Sequence, residues 1–255
     1  MSLARTDVKV SSGRVAPPRV GARVAVGGSK DVATEWIGNS QGLPNTQTNA
    51  YDFVDEMGDI ATIRFNWGDN DVFESDYVDP SLGGDDLNWI DNADLIYHHG
   101  HGNPNGVTTG ATSGDGFVDY SQTRWGNNGG DLEWMAMKAC QVLKTTNGDG
   151  LNLDQRWISN AFKGLHMMLG MVTNGYNTTG FGNEFGDNMA DDDMRIRSAW
   201  VDAAESDQPD GVKYRYMGVY GPGGSWNRND YFPGIGSVSK DITTLTGYWY
   251  YTGTV

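Results

Sequence analysis

The chain has 255 residues, with 18 Lys plus Arg against 33 Asp plus Glu and a formal charge of −15. A field of that sign repels phosphate backbones, so no nucleic-acid partner is expected, and no run of about 18 apolar residues offers a membrane span. The 36 glycines, nine tryptophans and twelve tyrosines describe a folded, turn-rich chain, long enough to bury roughly three quarters of its unfolded surface without a staple. The acidity serves equally well as a solubility device for a salty habitat.

Residues 1–30 carry Gly, Pro, Val and Arg in no clean period (Val15-Ala16-Pro17-Pro18-Arg19-Val20). They read as an extended N-terminal arm or pro-segment, and residues 31–255 as one domain. Met1 to Thr6 has no apolar stretch of a signal peptide, although a removed signal stays open. The location is unknown from these residues and leans extracellular.

From Val32 the signals sharpen. Val32 to Ile37 reads as a strand, and Asn49 to Ile60 as a helix with Ala50, Phe53, Val54 and Met57 on one face and Asn49 as its cap. Ala61 to Trp67 alternates with period two. Residues 68–92 form a polar loop. Ala93 to His99 is a short apolar run, a buried strand, that empties into Gly100-His101-Gly102. After a second polar loop (103–130), Leu132 to Cys140 reads as another buried strand. Trp157 to Lys163 is expected to be helical, Leu165 to Val172 a strand, Met189 to Glu205 a single helix, and Tyr214 to Tyr220 and Gly247 to Thr254 strands. Strands alternating with helices imply βαβ units. The expected fold is α/β, a three-layer αβα sandwich with a mainly parallel sheet and a β-rich C-terminal tail.

In open parallel sheets, chemistry gathers where strands empty into loops at their C-terminal ends. One tip here carries His101, and another carries Lys138-Ala139-Cys140. Neighbouring parallel strands lie ~4.8 Å apart, so adjacent tips bring a thiol and an imidazole within working distance. A free thiol, with a pKa of about 8.5, is only slightly ionised at neutral pH, and an imidazole that takes its proton turns it into a nucleophile. Gly102 lets the backbone approach a substrate carbonyl, and its N–H together with that of Cys140 suits an oxyanion. Cys140 is the only cysteine, which excludes an intramolecular disulfide and a multi-thiolate metal site. Set against the site is the plain alternative that a lone cysteine is a buried hydrophobe.

An apolar strand ending in Gly-His-Gly, followed 39 positions later by one ending in Ala-Cys, resembles the layout of the caspase, legumain, gingipain, clostripain and separase clan of cysteine peptidases. The chain is most similar to a gingipain-like family in Trp157 to Gly170, in Glu35-Trp36-Ile37-Gly38 and in Ser198-Ala199-Trp200, within roughly residues 32–205. The resemblance implies a caspase-like fold, hydrolysis of peptide or protein substrates through a thioester, His101 and Cys140 as catalytic dyad, and Gly102 as the oxyanion glycine. It departs from caspases and legumains at Lys138, where they carry Gln or Glu. Since residues i and i−2 of a strand share a face, Lys138 is expected beside the substrate, favouring acidic or neutral P1 residues. A monomer with no required cofactor is expected. Two rivals stand beside this reading: a catalytically silent caspase-like binding domain, and a metal-dependent hydrolase.

Other motifs take blander readings. His98 and His99 alternate faces in a strand and suit packing or supporting hydrogen bonds; His166 suits a satisfied core histidine. His99-x-His101 lacks a third ligand at a fixed spacing for zinc. Asn147 to Asp154 has residue types that suit structural calcium, but its glycines miss the EF-hand spacing and a polar turn is favoured. Gly38-Asn39-Ser40-Gln41-Gly42 fits Gly-x-Ser-x-Gly, yet Leu43-Pro44 opposes the helix that motif needs, so it reads as a turn. Gly180 to Gly186 misses the dinucleotide pattern at Phe185.

Overall fold

The computed structural model describes residues 30–110, 114–126 and 129–255. The expected N-terminal arm therefore lies outside the described residues, apart from Lys30. Alternating apolar residues build a seven-stranded sheet from β1 (Asp31–Trp36), β2 (Thr62–Gly68), β3 (Leu95–Gly100), β7 (Trp134–Ala139), β8 (Met167–Met171), β9 (Lys213–Tyr220) and β10 (Gly247–Thr254). Its order is β10-β9-β8-β7-β3-β1-β2. The five strands from β8 to β2 are mutually parallel, whereas β9 runs antiparallel to β8 and β10 antiparallel to β9. Each predicted strand is present with its ends moved by at most two residues, the usual consequence of a pattern that reports burial better than termini.

The two faces of the sheet are covered differently. Val32, Leu95, Tyr97, Trp134, Ala136, Met167 and Leu169 point to a core shared with α1 (Thr46–Met57), α2 (Phe181–Ala190) and α3 (Ile196–Asp207). Their neighbours Ala33, Ile96, Met135, Met137 and Met168 point to a second core with Tyr77, Trp89, Val107, Val118, Trp125 and Trp157. That second face carries short 3-10 turns, a π-helical turn at Asp154–Ile158, and a small antiparallel sheet of β4 (Gly102–Asn103), β5 (Gly106–Thr108) and β6 (Phe117–Asp119). The chain is an α/β protein whose α-helices, among the described residues, pack on one side.

Four local expectations are corrected. The loop 103–130 contains the small sheet, whose strands of two or three residues are too short to leave a period. Trp157 to Lys163 is not a helix. The π-turn ends at Ile158, and the buried Arg156 ties the segment to the carbonyls of Leu151, Pro104 and Lys144. The single helix Met189 to Glu205 is two, because Asp191 to Asp193 interrupt it and Asp193 adopts a left-handed φ of 52°. Asn49 is not a cap but lies one turn inside α1, where its Oδ1 accepts the N–H of Gly182 at 2.8 Å.

The glycines of Gly180 to Gly186 serve packing. A Cβ on Gly182 would stand 1.9 Å from the Asn49 carbonyl oxygen, and one on Gly186 2.7 Å from the Glu56 Cβ. Glycines four apart on one face of α2 thus let it lie directly on α1.

Candidate active site

The parallel pairing of β3 with β7 puts Gly100 in register with Ala139. His101 and Cys140 are therefore the next residues out from two adjacent strand tips, about one strand spacing of ~4.8 Å apart along the sheet. Parity in the two strands assigns both positions to the helix-bearing face, with Tyr97 and Ala136. Cys140 is half-buried and His101 exposed, so solvent reaches the pair.

His101 is oriented from the loop after β1. Its Nε2 lies 3.1 Å from the carbonyl oxygen of Gln41. A carbonyl only accepts, so Nε2 carries the proton and the lone pair is on Nδ1. The Gln41 loop is braced in turn. Asp69 Oδ1 accepts the N–H groups of Gly38 (2.8 Å) and Ser40 (3.2 Å) and the Ser40 hydroxyl (2.6 Å). Gly38 to Gly42 is accordingly a 3-10 turn closed by Gly42 in a left-handed conformation, as its sequence suggests. Neither Gln41 nor Asp69 carried a sequence signal, since one acts through its backbone and the other sits in a polar loop.

Gly102 begins β4. A Cβ there would approach the Ala139 Cβ at 2.9 Å and the Cys140 carbonyl oxygen at 3.2 Å, so this position presses on the β7 tip and takes only glycine without a shift. The Thr108 N–H donates to the His101 carbonyl at 3.0 Å while Gly102 faces Val107. This register makes Gly102 and Val107 a non-hydrogen-bonded pair, and the Gly102 N–H points away from β5.

Beyond Cys140 the chain turns sharply. Gln141 has a φ of 57°, a left-handed backbone that a residue with a side chain adopts at a cost of order 1 kcal/mol. Its N–H donates to the Thr173 carbonyl at 3.0 Å. The Cys140 thiol faces the Gly175 carbonyl oxygen at 3.7 Å, in the segment between β8 and α2. That segment is held by Gln208, which accepts the Tyr176 N–H at 2.7 Å, and by Asn45, which donates to the Asn177 carbonyl at 2.6 Å.

Lys138 shares the face of Cys140 but is only 3% exposed. Its ammonium meets Thr178 Oγ1 at 2.9 Å and Asp207 Oδ2 at 3.3 Å, and lies 4.8 Å from the centre of the Phe181 ring. Burial lowers its pKa to about 8, against the opposing pull of Asp207. The expectation of a lysine open to substrate is thus replaced by an internal ion pair, and the preference for acidic P1 residues loses its source.

The remaining histidines are structural. His98 is buried with its Nδ1 2.6 Å from the Tyr77 hydroxyl, and burial lowers its pKa to about 3. His99 is buried beside Lys138, and burial and that charge both lower its pKa. At His166, burial pulls the pKa down, but hydrogen bonds from Nδ1 to Asp230 (2.8 Å) and Nε2 to Asp241 (3.4 Å) outweigh it and raise it.

Asn147 Oδ1 accepts the N–H groups of Asp149 and Leu151 at 3.1 and 2.8 Å, closing a turn upon itself at the candidate calcium loop. Among the described residues, Asp94, Asp131 and Glu133 bring carboxylate oxygens within 4.8 Å of one another. They precede β3 and β7 and so lie at the opposite end of the sheet from Cys140. No helix among the described residues is long and apolar enough to cross a membrane.

A family model described as "Domain of unknown function (DUF6345)" matches residues 34–253. No curated protein matches the chain.

Proposed function

Starting from the fact that the chain belongs to the DUF6345 family, we propose that it is a cysteine peptidase of the caspase–gingipain type, working through His101 and Cys140. The observation that carries this reading is the register of Gly100 with Ala139, from which the only thiol and an exposed imidazole follow at neighbouring strand tips.

The proton bookkeeping suits the task. With Nε2 bonded to the Gln41 carbonyl, the Nδ1 lone pair takes the proton of the Cys140 thiol. The thiolate adds to the substrate carbonyl carbon, and the Gly102 N–H is a donor for the resulting oxyanion. Collapse expels the amine, which receives the proton from Nδ1 and leaves a thioester on Cys140. Water, deprotonated by the same imidazole, adds to the thioester; the thiol is regenerated and the acid released. The chain supplies both proton transfers and needs no cofactor for them.

The test is chemical. Cys140 should react with iodoacetamide much faster than a free thiol at pH 7, and His101→Ala should bring the rate down to that of a free thiol. Labelling that ignores His101→Ala, with no Cys140-dependent peptide hydrolysis, would mark the chain as a silent binding domain.

A further inference from the structure

We propose that the groove beginning at Gln141 is the site that receives the substrate side chain on the acyl side of the scissile bond, and that it selects an uncharged polar side chain. The inference rests on the peptidase reading and adds the substrate class.

The groove is an open hollow of about 470 Å³ lined by Gln141, Lys144, Asn174, Tyr176, Asp210 and Val212, among others. It starts one residue past Cys140, where the left-handed backbone of Gln141 turns the chain away from the thiol. The Cys140 thiol faces the Gly175 carbonyl at 3.7 Å, and Gly175 stands between the lining residues Asn174 and Tyr176; the acyl group bonded to Sγ through both chemical steps therefore sits beside this hollow.

The lining decides the chemistry. Gln141 Nε2 donates to Asn174 Oδ1 at 2.7 Å, and Gln141 Oε1 accepts from the Lys144 ammonium at 3.2 Å. That fixes two carboxamides and a cation along one wall, while Asp210 stands as a carboxylate in the same lining. A carboxylate side chain would gain Lys144 but meet Asp210, and an ammonium the reverse; an apolar one would cover these polar groups without bonding any of them. An amide or hydroxyl uses both donors and acceptors with no uncompensated charge. The groove thereby takes over the selecting role that Lys138, held by Asp207, does not fill.

The probes are peptidyl acyloxymethyl ketones that differ only in the P1 residue, Gln, Glu, Lys or Leu, with Cys140 alkylation followed by intact mass. Gln and Glu are nearly isosteric, so their ratio reads charge alone. Gln should react faster than Glu, Lys and Leu by roughly tenfold or more. Lys144→Ala should move the preference towards Lys and Asp210→Ala towards Glu, two shifts of opposite sign that a general loss of structure does not produce. Equal rates for all four probes, or no shift in either variant, while iodoacetamide labelling still depends on His101, would overturn the groove assignment alone. Loss of the His101 dependence as well would overturn the peptidase reading and the groove with it.

Discussion

The Nε2 of His101 is bonded to the backbone carbonyl of Gln41, 60 positions earlier in the chain. This one contact sets the tautomer of the imidazole and turns its lone pair to Nδ1. It also makes the loop after β1, which bears no titrating side chain of its own between Gly38 and Gly42, part of the candidate catalytic apparatus.

Removing the brace on that loop tests its role. Asp69 sits at a φ of 52°, so Asp69→Gly relieves backbone strain while deleting the acceptor of three hydrogen bonds. Misplacement of a general base by about 1 Å is enough for a loss of up to ~100-fold. The variant should therefore lower kcat and slow Cys140 alkylation, with only a small change in thermal midpoint. An unchanged alkylation rate would detach Asp69 from the site.

Cys140→Ala should abolish hydrolysis and change stability by less than about 1 kcal/mol, because the side chain is half-buried at a strand tip. A larger loss in a denaturant melt would mean that the thiol acts as core.

Gly102→Ala introduces a methyl group 2.9 Å from the Ala139 Cβ and 3.2 Å from the Cys140 carbonyl oxygen. Two of the three nearest neighbours belong to the β7 tip, the third being the Gly106 carbonyl oxygen of β5 at 3.1 Å, so much of the strain lands on the candidate nucleophile. Activity should fall by on the order of 100-fold, comparable with loss of one oxyanion donor, while circular dichroism keeps the native profile. Full activity in this variant would remove Gly102 from the mechanism.

The Lys138–Asp207 pair is buried on both sides, at 2% and 7% side-chain exposure. Asp207→Ala leaves an uncompensated ammonium and should cost about 3–5 kcal/mol, whereas the double change Lys138→Met with Asp207→Leu should recover most of it. Urea melts of the wild type, the single and the double variant decide this. If the single change costs nothing, the ammonium reaches water and Lys138 returns as a candidate for contact with substrate.

His166 gives the pH dependence. Its folded pKa is raised above the ordinary 6.5, so the folded chain binds the proton more tightly than the unfolded one. The stability it contributes is complete below pH 6.5 and is lost as the pH rises through the folded value. The partners facing it are the buried Asp230 and the half-exposed Asp241, with the Trp134 ring edge-on. Asp230→Asn should therefore lower the thermal midpoint most at acidic pH and least above the folded value. A difference between wild type and variant that stays constant across pH would show His166 to be neutral throughout.

Much of the frame was legible because it is written in local alternation. Leu95, Ile96 and Tyr97, or Trp134 to Met137, announce strands buried on both faces, and such strands imply a parallel interior with chemistry at its C-terminal tips. The small sheet at Gly102 to Asp119 left no such mark, its strands being too short to show a period. Asp191 to Asp193 broke a helix whose apolar face read as continuous through the interruption.

The chain's own pattern was enough to order the seven strands of the main sheet and to name the residues at their ends, among them His101 after β3 and Cys140 after β7. Tertiary structure alone decided where the polar side chains found partners. Lys138 belongs to the face of Cys140 by parity, yet its charge is taken by Asp207, 69 positions away. His101 is turned by a backbone carbonyl from another loop, and the groove beyond Cys140 opens between segments around positions 141, 174 and 210. Periodicity records which face of an element is buried; it holds no information on which distant donor or acceptor the packed chain brings within 3 Å, and in a buried or half-buried site that partner sets charge, tautomer and reach.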